Sequence, residues 1–222
     1  MGAEHGHKLH YHGHSWLHRT PAHFKIVGLL AFMLLVVATP KDWFAAFPAY
    51  FAFLAVLVAT SGVPPFYLAK RMVVEVPFVV FAALLPFVAT GPRIEVLGLS
   101  VSEPGLLGAW GLLVKGTLGV LAGLLLAATT EPRALLAGLE RLRLPDQLVQ
   151  IMGFMIRYLD VVTEEMRRMH VARQSRGFDA RNPRHWPVLA KSAGALFIRS
   201  YERGERVHLA MLSRGYTGRM PR

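Results

Sequence analysis

The chain has 222 residues, 53% of them hydrophobic, with no cysteine and a formal net charge of +11. The missing cysteine excludes disulfides and thiolate metal sites, and so apolar a composition exceeds what a soluble domain of this size needs. The charge is unevenly spread. Residues 131–222 hold 17 of the 25 Lys/Arg and nine of the 14 Asp/Glu, a net +8, while the apolar runs mostly precede them; a membrane anchor followed by a basic cytoplasmic portion has this pattern.

Residues 1–20 read as a polar tail. Seven of the ten histidines fall within the first 23 residues. His10, His12 and His14 alternate, which suits an imidazole set for Co, Ni, Cu or Zn; the other reading is a polar tail with no ordered site. No cleavable signal peptide is expected, because the first apolar run is followed by Lys41 and Asp42 rather than a small-residue cleavage site.

Residues 21–130 hold four segments of the length and apolarity of a spanning helix, roughly 20 residues for ~30 Å of hydrocarbon. The first runs from Pro21 to Thr39, with Thr20 as its expected N-cap. The second is Trp43 to Thr60. The third, Met72 to Thr90, contains Glu75, Pro77 and Pro86. The fourth, Pro104 to Thr130, contains Lys115. Basic residues decide the orientation. Lys8, Arg19 and Lys25 flank the first span on one side, and Lys70 and Arg71 lie between the second and third; the other two loops hold only Lys41 and Arg93. The N-terminus and residues 131–222 are therefore expected in the cytoplasm. Glu75 and Lys115 are ionisable groups inside spans, read either as part of an ion or substrate path or as groups that snorkel or face protein.

Residues 131–222 predict two long helices. One covers about 145–172, starting at Leu144-Pro145-Asp146, and places Met155, Leu159, Val162, Met166 and Met169 along one stripe with Asp160, Glu164, Arg167 and Arg168 elsewhere. The second runs from Pro187 to Leu212. Its small residues Ser192, Ala193, Gly194, Ser200 and Gly204 predict close approach of the two helices there.

Each of these helices closes in the same wording. Residues 170–184 read HVARQSRGFDARNPR and residues 208–222 read HLAMLSRGYTGRMPR, identical at eight of 15 positions. One reading of each Ser-Arg-Gly is a helix terminus, with Gly177 and Gly215 as left-handed C′ residues and Arg176 and Arg214 at the negative end of the dipole. The other is a pair of docking tips. Two matching tips on one asymmetric chain imply two matching receptors, which a dimer supplies by its symmetry, and a guanidinium beside a glycine suits an acidic groove.

With those motifs in place, the chain resembles the T component of energy-coupling-factor transporters (the EcfT/CbiQ family), and the segments ARQSRGFD and MLSRGYTGRMP are most similar to the cobalt-type members. The resemblance implies an all-α integral membrane protein, with about four transmembrane helices and long amphipathic cytoplasmic coupling helices that cross in an X. It implies that Ser175, Arg176, Gly177, Ser213, Arg214 and Gly215 couple to the two subunits of a dimeric ABC-type ATPase. It also implies a membrane-embedded substrate-binding subunit on the coupling helices. The chain would bind no cofactor itself, ATP residing on the partners, and would lie multi-pass in the cell (inner) membrane. Family members usually continue past the second motif into another span, whereas this sequence stops at Arg222.

The expected function is thus a non-catalytic coupling subunit of a cobalt or nickel importer. The rival is a membrane enzyme or channel with a basic cytoplasmic domain. A P-loop, a zincin motif and a nucleophile elbow are all missing from the sequence. A third reading, binding of nucleic acid or anionic lipid by the basic half, is weakened by the nine acidic residues interleaved there, and no nucleic-acid partner is expected.

Overall fold

The computed structural model describes residues 15–41, 43–96, 99–179 and 181–218. It divides into two compact units that meet within one helix, residues 7–138 and residues 139–222.

The first unit is organised by its longest helix. Its elements are α1 (Trp16–Arg19), α2 (Ala22–Ala38), α3 (Ala46–Ser61), α4 (Pro65–Arg71), α5 (Val76–Val88), a hairpin of β1 (Arg93–Val96) and β2 (Leu99–Ser102), α6 (Glu103–Thr129) and the start of α7 (Pro132–Arg141). Ser102 caps α6 by accepting a hydrogen bond from the Gly105 amide, with Glu103 and Pro104 in the first turn, as an N-terminal anion preference and a missing Pro amide dictate. The face of α6 carrying Ala109, Val114, Leu118, Ala122 and Leu125 is buried, where it meets Val36 of α2 and Phe47 and Leu54 of α3. Gly105 lets α5 approach: a Cβ there would sit 2.8 Å from the Leu85 carbonyl oxygen.

A helix stands at each of the four expected spans, with shifted limits. Two stretches, Pro65–Val88 and Glu103–Thr129, are long and apolar enough to cross a bilayer; α2 and α3 are equally apolar but have 17 and 16 residues. The third stretch starts seven residues before the expected Met72. Its Met72–Glu75 turn is 3₁₀, the tightening that accommodates Pro77, which brings no amide to the ladder. Thr20 does not cap α2. It follows α1, and its hydroxyl donates to the Trp16 carbonyl at 3.1 Å, while Pro21 occupies the N-cap of α2. The described residues are all-α as expected, with one short hairpin added: Arg93 pairs with Ser102 and Ile94 with Val101, the two-residue alternation of both segments favouring a ribbon.

The ionisable groups of the spans face protein. Lys115 on α6 donates to the Val37 and Thr39 carbonyls, at 2.9 and 2.7 Å, and so caps the C-terminus of α2. Lys25 on α2 does the reverse, donating to the Thr129 carbonyl (2.9 Å) and the Thr130 hydroxyl (3.1 Å) at the end of α6. The two helices therefore clasp each other's negative ends. Glu75, only 5% exposed, is hydrogen-bonded to the Thr117 hydroxyl.

The second unit consists of the end of α7, then α8 (Asp146–Gln174), a 3₁₀ turn (Pro183–His185) and α9 (Trp186–Leu212). Neither long helix has a buried residue. Three contacts fix their relative direction. Asp179 and Phe178 meet His185 at the connecting turn, Glu165 pairs with Arg199 midway, and Tyr216 donates to Gln150 at 2.8 Å. Late residues of α9 thus lie beside early residues of α8, an antiparallel pair. The small-residue expectation fails in detail. Ala193, Gly194, Ser200 and Gly204 are exposed, and Ser192 alone of the five is half-buried. The half-buried line is Val188, Ser192, Leu196, Arg203, Val207 and Met211 instead, a helical spacing on the adjoining face. The Met155, Leu159 and Met166 positions of the predicted α8 stripe are exposed.

Candidate docking site: two matching helix ends

Why α8 and α9 run so long is local. Asp146 follows Pro145 into the first turn of α8, where a carboxylate suits the positive end of the dipole. Glu164 then receives Arg167 at 2.7 Å and Arg168 at 3.1 Å, one turn on. The Arg167 hydrogen bonds, followed by those of Arg168, hold the Glu164 carboxyl down at about 2. These pairs are exposed and belong to the helix surface, where such contacts contribute little.

The ends of the two helices match bond for bond. At the first, the Phe178 amide donates to the Arg173 carbonyl and the Gly177 amide to the Gln174 carbonyl, both at 3.0 Å. At the second, the Tyr216 amide donates to Met211 and the Gly215 amide to Leu212, again at 3.0 Å. This crossed pair of bonds closes a helix on a left-handed residue, and Gly177 and Gly215 have φ of +74° and +83°. A Cβ at either glycine would meet nothing within 4 Å. The backbone angle, not crowding, therefore selects glycine. The serines repeat as well: Ser175 donates to the Ala172 carbonyl and Ser213 to the Ala210 carbonyl, each at 3.0 Å. Their hydroxyls are occupied in tightening their own helix ends.

The arginines differ from the serines. Arg176 and Arg214 are exposed, and among the described residues neither guanidinium has an ion-pair partner. Each stands on an anchored loop. Phe178 is packed edge-on against His185 with ring centres 5.3 Å apart, and Tyr216 is packed against His208 and bonded to Gln150. Because Tyr216 sits beside Gln150, the second tip lies near the start of α8, while the first lies past its end at Gln174. The 24 residues between correspond to ~36 Å of helix. An antiparallel pair with one tip at each C-terminus is related to itself by an approximate two-fold axis, the relation needed to meet two equivalent sites on a symmetric dimer.

The structure thus brings Ser175, Arg176 and Gly177 together as one tip and Ser213, Arg214 and Gly215 as another. His10, His12 and His14 lie outside the described residues. Of the other early histidines, His18 is bonded to the Ser15 hydroxyl at 2.7 Å and His23 is packed on Phe24. Sequence reasoning missed a third end of the same kind. In α7 the Arg143 amide donates to Glu140 and the Leu144 amide to Leu139, but the left-handed residue is Arg143 itself, at φ +59°. The signal available was the following Leu144-Pro145, since proline commonly follows such a stop.

Comparison with known proteins shows which family the chain resembles. The energy-coupling factor transporter transmembrane protein EcfT of Listeria innocua is 28% identical over 208 residues, covering 87% of this chain and 77% of its own length. The cobalt transport protein CbiQ of Rhodobacter capsulatus is 27% identical over 212 residues, covering 92% and 82%. A second EcfT, from Ruminiclostridium cellulolyticum, is 27% identical over 212 residues. The family model described as cobalt transport protein, CbiQ, matches residues 13–222, and the chain belongs to that family.

Proposed function

We propose that this chain is the non-catalytic energy-coupling subunit of an ATP-driven importer for cobalt or nickel ions. The observation that carries this reading is the pair of matching helix ends, each presenting on an anchored loop an exposed arginine without an ion-pair partner among the described residues. Arg176 and Arg214 each enter an acidic groove on one subunit of a dimeric ABC-type ATPase. The glycines let the groove wall come close, and the serines fix the loop rather than touch the partner. α8 and α9 carry the motion to a membrane-embedded substrate-binding subunit, which covers their exposed apolar stripe. The helices cross in an X, so that each tip reaches a different ATPase subunit. ATP stays on the partners.

In the membrane, α2, α3, the α4–α5 stretch and α6 make four crossings. The loop charges put both ends of the chain in the cytoplasm of a cell (inner) membrane. The names of the relatives favour cobalt. His10, His12 and His14 would then buffer released ion on the cytoplasmic side.

The test is retention of the ATPase subunits on tagged wild type, Arg176→Ala, Arg214→Ala and the double variant. Leaving one member of a desolvated charge pair alone costs about 2–5 kcal/mol, and a two-point attachment loses avidity as well. Each single variant is expected to retain some complex and the double variant almost none. Full retention by the double variant overturns the docking role and leaves two similar helix ends.

A further inference from the structure

The first unit contains an apolar cavity of about 210 Å³ between α1, α2, α3 and α6, lined by Trp16, Phe24, Phe53, Leu57, Leu126 and one cation, Lys25. Nothing in the docking role uses it. Its lining is carbon except where Lys25, Thr20 and Thr129 approach. Such a slot holds no ordered water, and left empty it would forfeit the dispersion contacts of every aromatic along its wall. In a membrane-spanning unit the material at hand to fill it is hydrocarbon.

The charge in the wall of the slot narrows the occupant. An ammonium has three donors. Lys25 directs two of them to the Thr129 carbonyl and the Thr130 hydroxyl, so the third remains for a ligand. Arg19, adjacent to the cavity-lining Thr20, is exposed and has no ion-pair partner among the described residues. A carbon-lined slot with a half-buried ammonium in its wall, and an exposed arginine on α1, the short helix that also supplies Trp16 to that wall, matches an acyl chain attached to an anionic phosphate. The exposed indole of Trp16 suits the headgroup depth at which such a lipid would sit. We infer that this cavity holds one acyl chain of an anionic phospholipid of the cytoplasmic leaflet, its phosphate accepting hydrogen bonds from Lys25 and Arg19. The inference rests on the chain's residence in a membrane and not on the docking of the tips, so retention of the ATPase and retention of the lipid fail independently.

The experiment uses the full chain in mixed micelles containing equal phosphatidylglycerol and phosphatidylcholine, read by native mass spectrometry. One retained phosphatidylglycerol is expected, favoured about tenfold over phosphatidylcholine, whose phosphate offers the same oxygens but whose choline cation is repelled by the two basic side chains. Gly28→Leu fills the slot from its wall, where a Cβ meets nothing within 4 Å, and should abolish retention. Arg19→Gln should reduce the preference for the anionic lipid while leaving a bound chain. A measurement that leaves the slot itself unaltered guards against misfolding of Gly28→Leu. With Trp43, Trp110 and Trp186 changed to Phe, Trp16 should be quenched saturably by phosphatidylglycerol brominated on its acyl chain, and glycerol phosphate should not compete. Equal retention of the two lipids, unaltered retention by a folded Gly28→Leu, or competition by glycerol phosphate overturns the assignment.

Discussion

The two units are both helical, yet they bury side chains in opposite measure. In the first, α6 alone contributes nine buried residues, among them Leu118 with no exposed surface. In the second, α8 and α9 extend over 29 and 27 residues and bury none. A helix with an apolar stripe and nothing on it is an unfinished interface, and Met155, Leu159 and Met166 on α8, with Phe197, Ile198 and Tyr201 on α9, form such surface. The first unit is held by its own packing. The second is joined by hydrogen bonds at its ends and by the Glu165–Arg199 ion pair midway.

The largest effect that can break this contrast lies in the core of the first unit. Leu118→Ala should cost about 2–5 kcal/mol, the usual range for a buried leucine truncated to alanine. Leu159→Ala, at an exposed position, should stay within about 0.5 kcal/mol in the chain alone, and should lower stability more in the assembled complex. Thermal unfolding in detergent of both variants, with and without partners, decides it. Equal destabilisation of the isolated chain would show that the α8 stripe is covered by the chain itself.

The polar links sharpen the same comparison. Lys115→Met removes two charge-assisted bonds from the C-terminus of α2 and leaves its carbonyls without a donor. At ~1.5–3 kcal/mol for a bond to a charged group, a clear drop in unfolding temperature is expected. Arg199→Met removes the α8–α9 ion pair, whose members remain partly in solvent, and should cost at most about 1 kcal/mol. If Arg199→Met proved the more damaging, the second unit would depend on its own contacts far more than its burial indicates.

How much of this was legible in the sequence differs along the chain. Periodicity placed α8 and α9 within two residues of their ends, because Pro145 and the two Ser-Arg-Gly runs are strong stop and start signals. Both tips were readable as left-handed helix ends, since only backbone geometry was needed. The direction of the small-residue face of α9 was not. Ser192, Gly194 and Gly204 permit close approach, but permission does not fix which face is used, and the half-buried line formed on larger residues. The hairpin at 93–102 is hard to read because each strand has only four residues, too few to stand out between two long apolar runs. Lys25 and Lys115 could be identified as unusual within spans, but their exchange of helix caps depends on α2 and α6 lying side by side, which no local pattern encodes.

Smaller effects test the helix ends. Gly177→Ala and Gly215→Ala place a Cβ on a left-handed residue and should each destabilise by about 1 kcal/mol. Arg143→Gly relieves that strain at the end of α7 and should stabilise by a similar amount, less the added entropy of the unfolded chain. The two signs, read from denaturant midpoints, test whether the three ends share one geometry. A stabilising Gly215→Ala would refute it for the second tip.

The smallest expected effect concerns pH and belongs to the surface of α8. The carboxyl of Glu164 is held at about 2 by the Arg167 hydrogen bonds first and those of Arg168 next. A folded-state value below the unfolded one stabilises the fold while the group is ionised in both states. The contribution is therefore complete above the ordinary carboxylate range, about 4.3, and fades as the pH falls from there through about 2. Glu164→Gln should be slightly less stable than wild type at neutral pH, and the difference should shrink steadily as the pH falls toward 2. High salt should shrink it at every pH, because both guanidiniums stand in solvent and such pairs are screened. Denaturation midpoints of the two proteins between pH 7 and 2, at low and high salt, provide the measurement. A difference as large at pH 2 as at pH 7, or one that ignored salt, would mean that Glu164 acts through packing on α8 rather than through its charge.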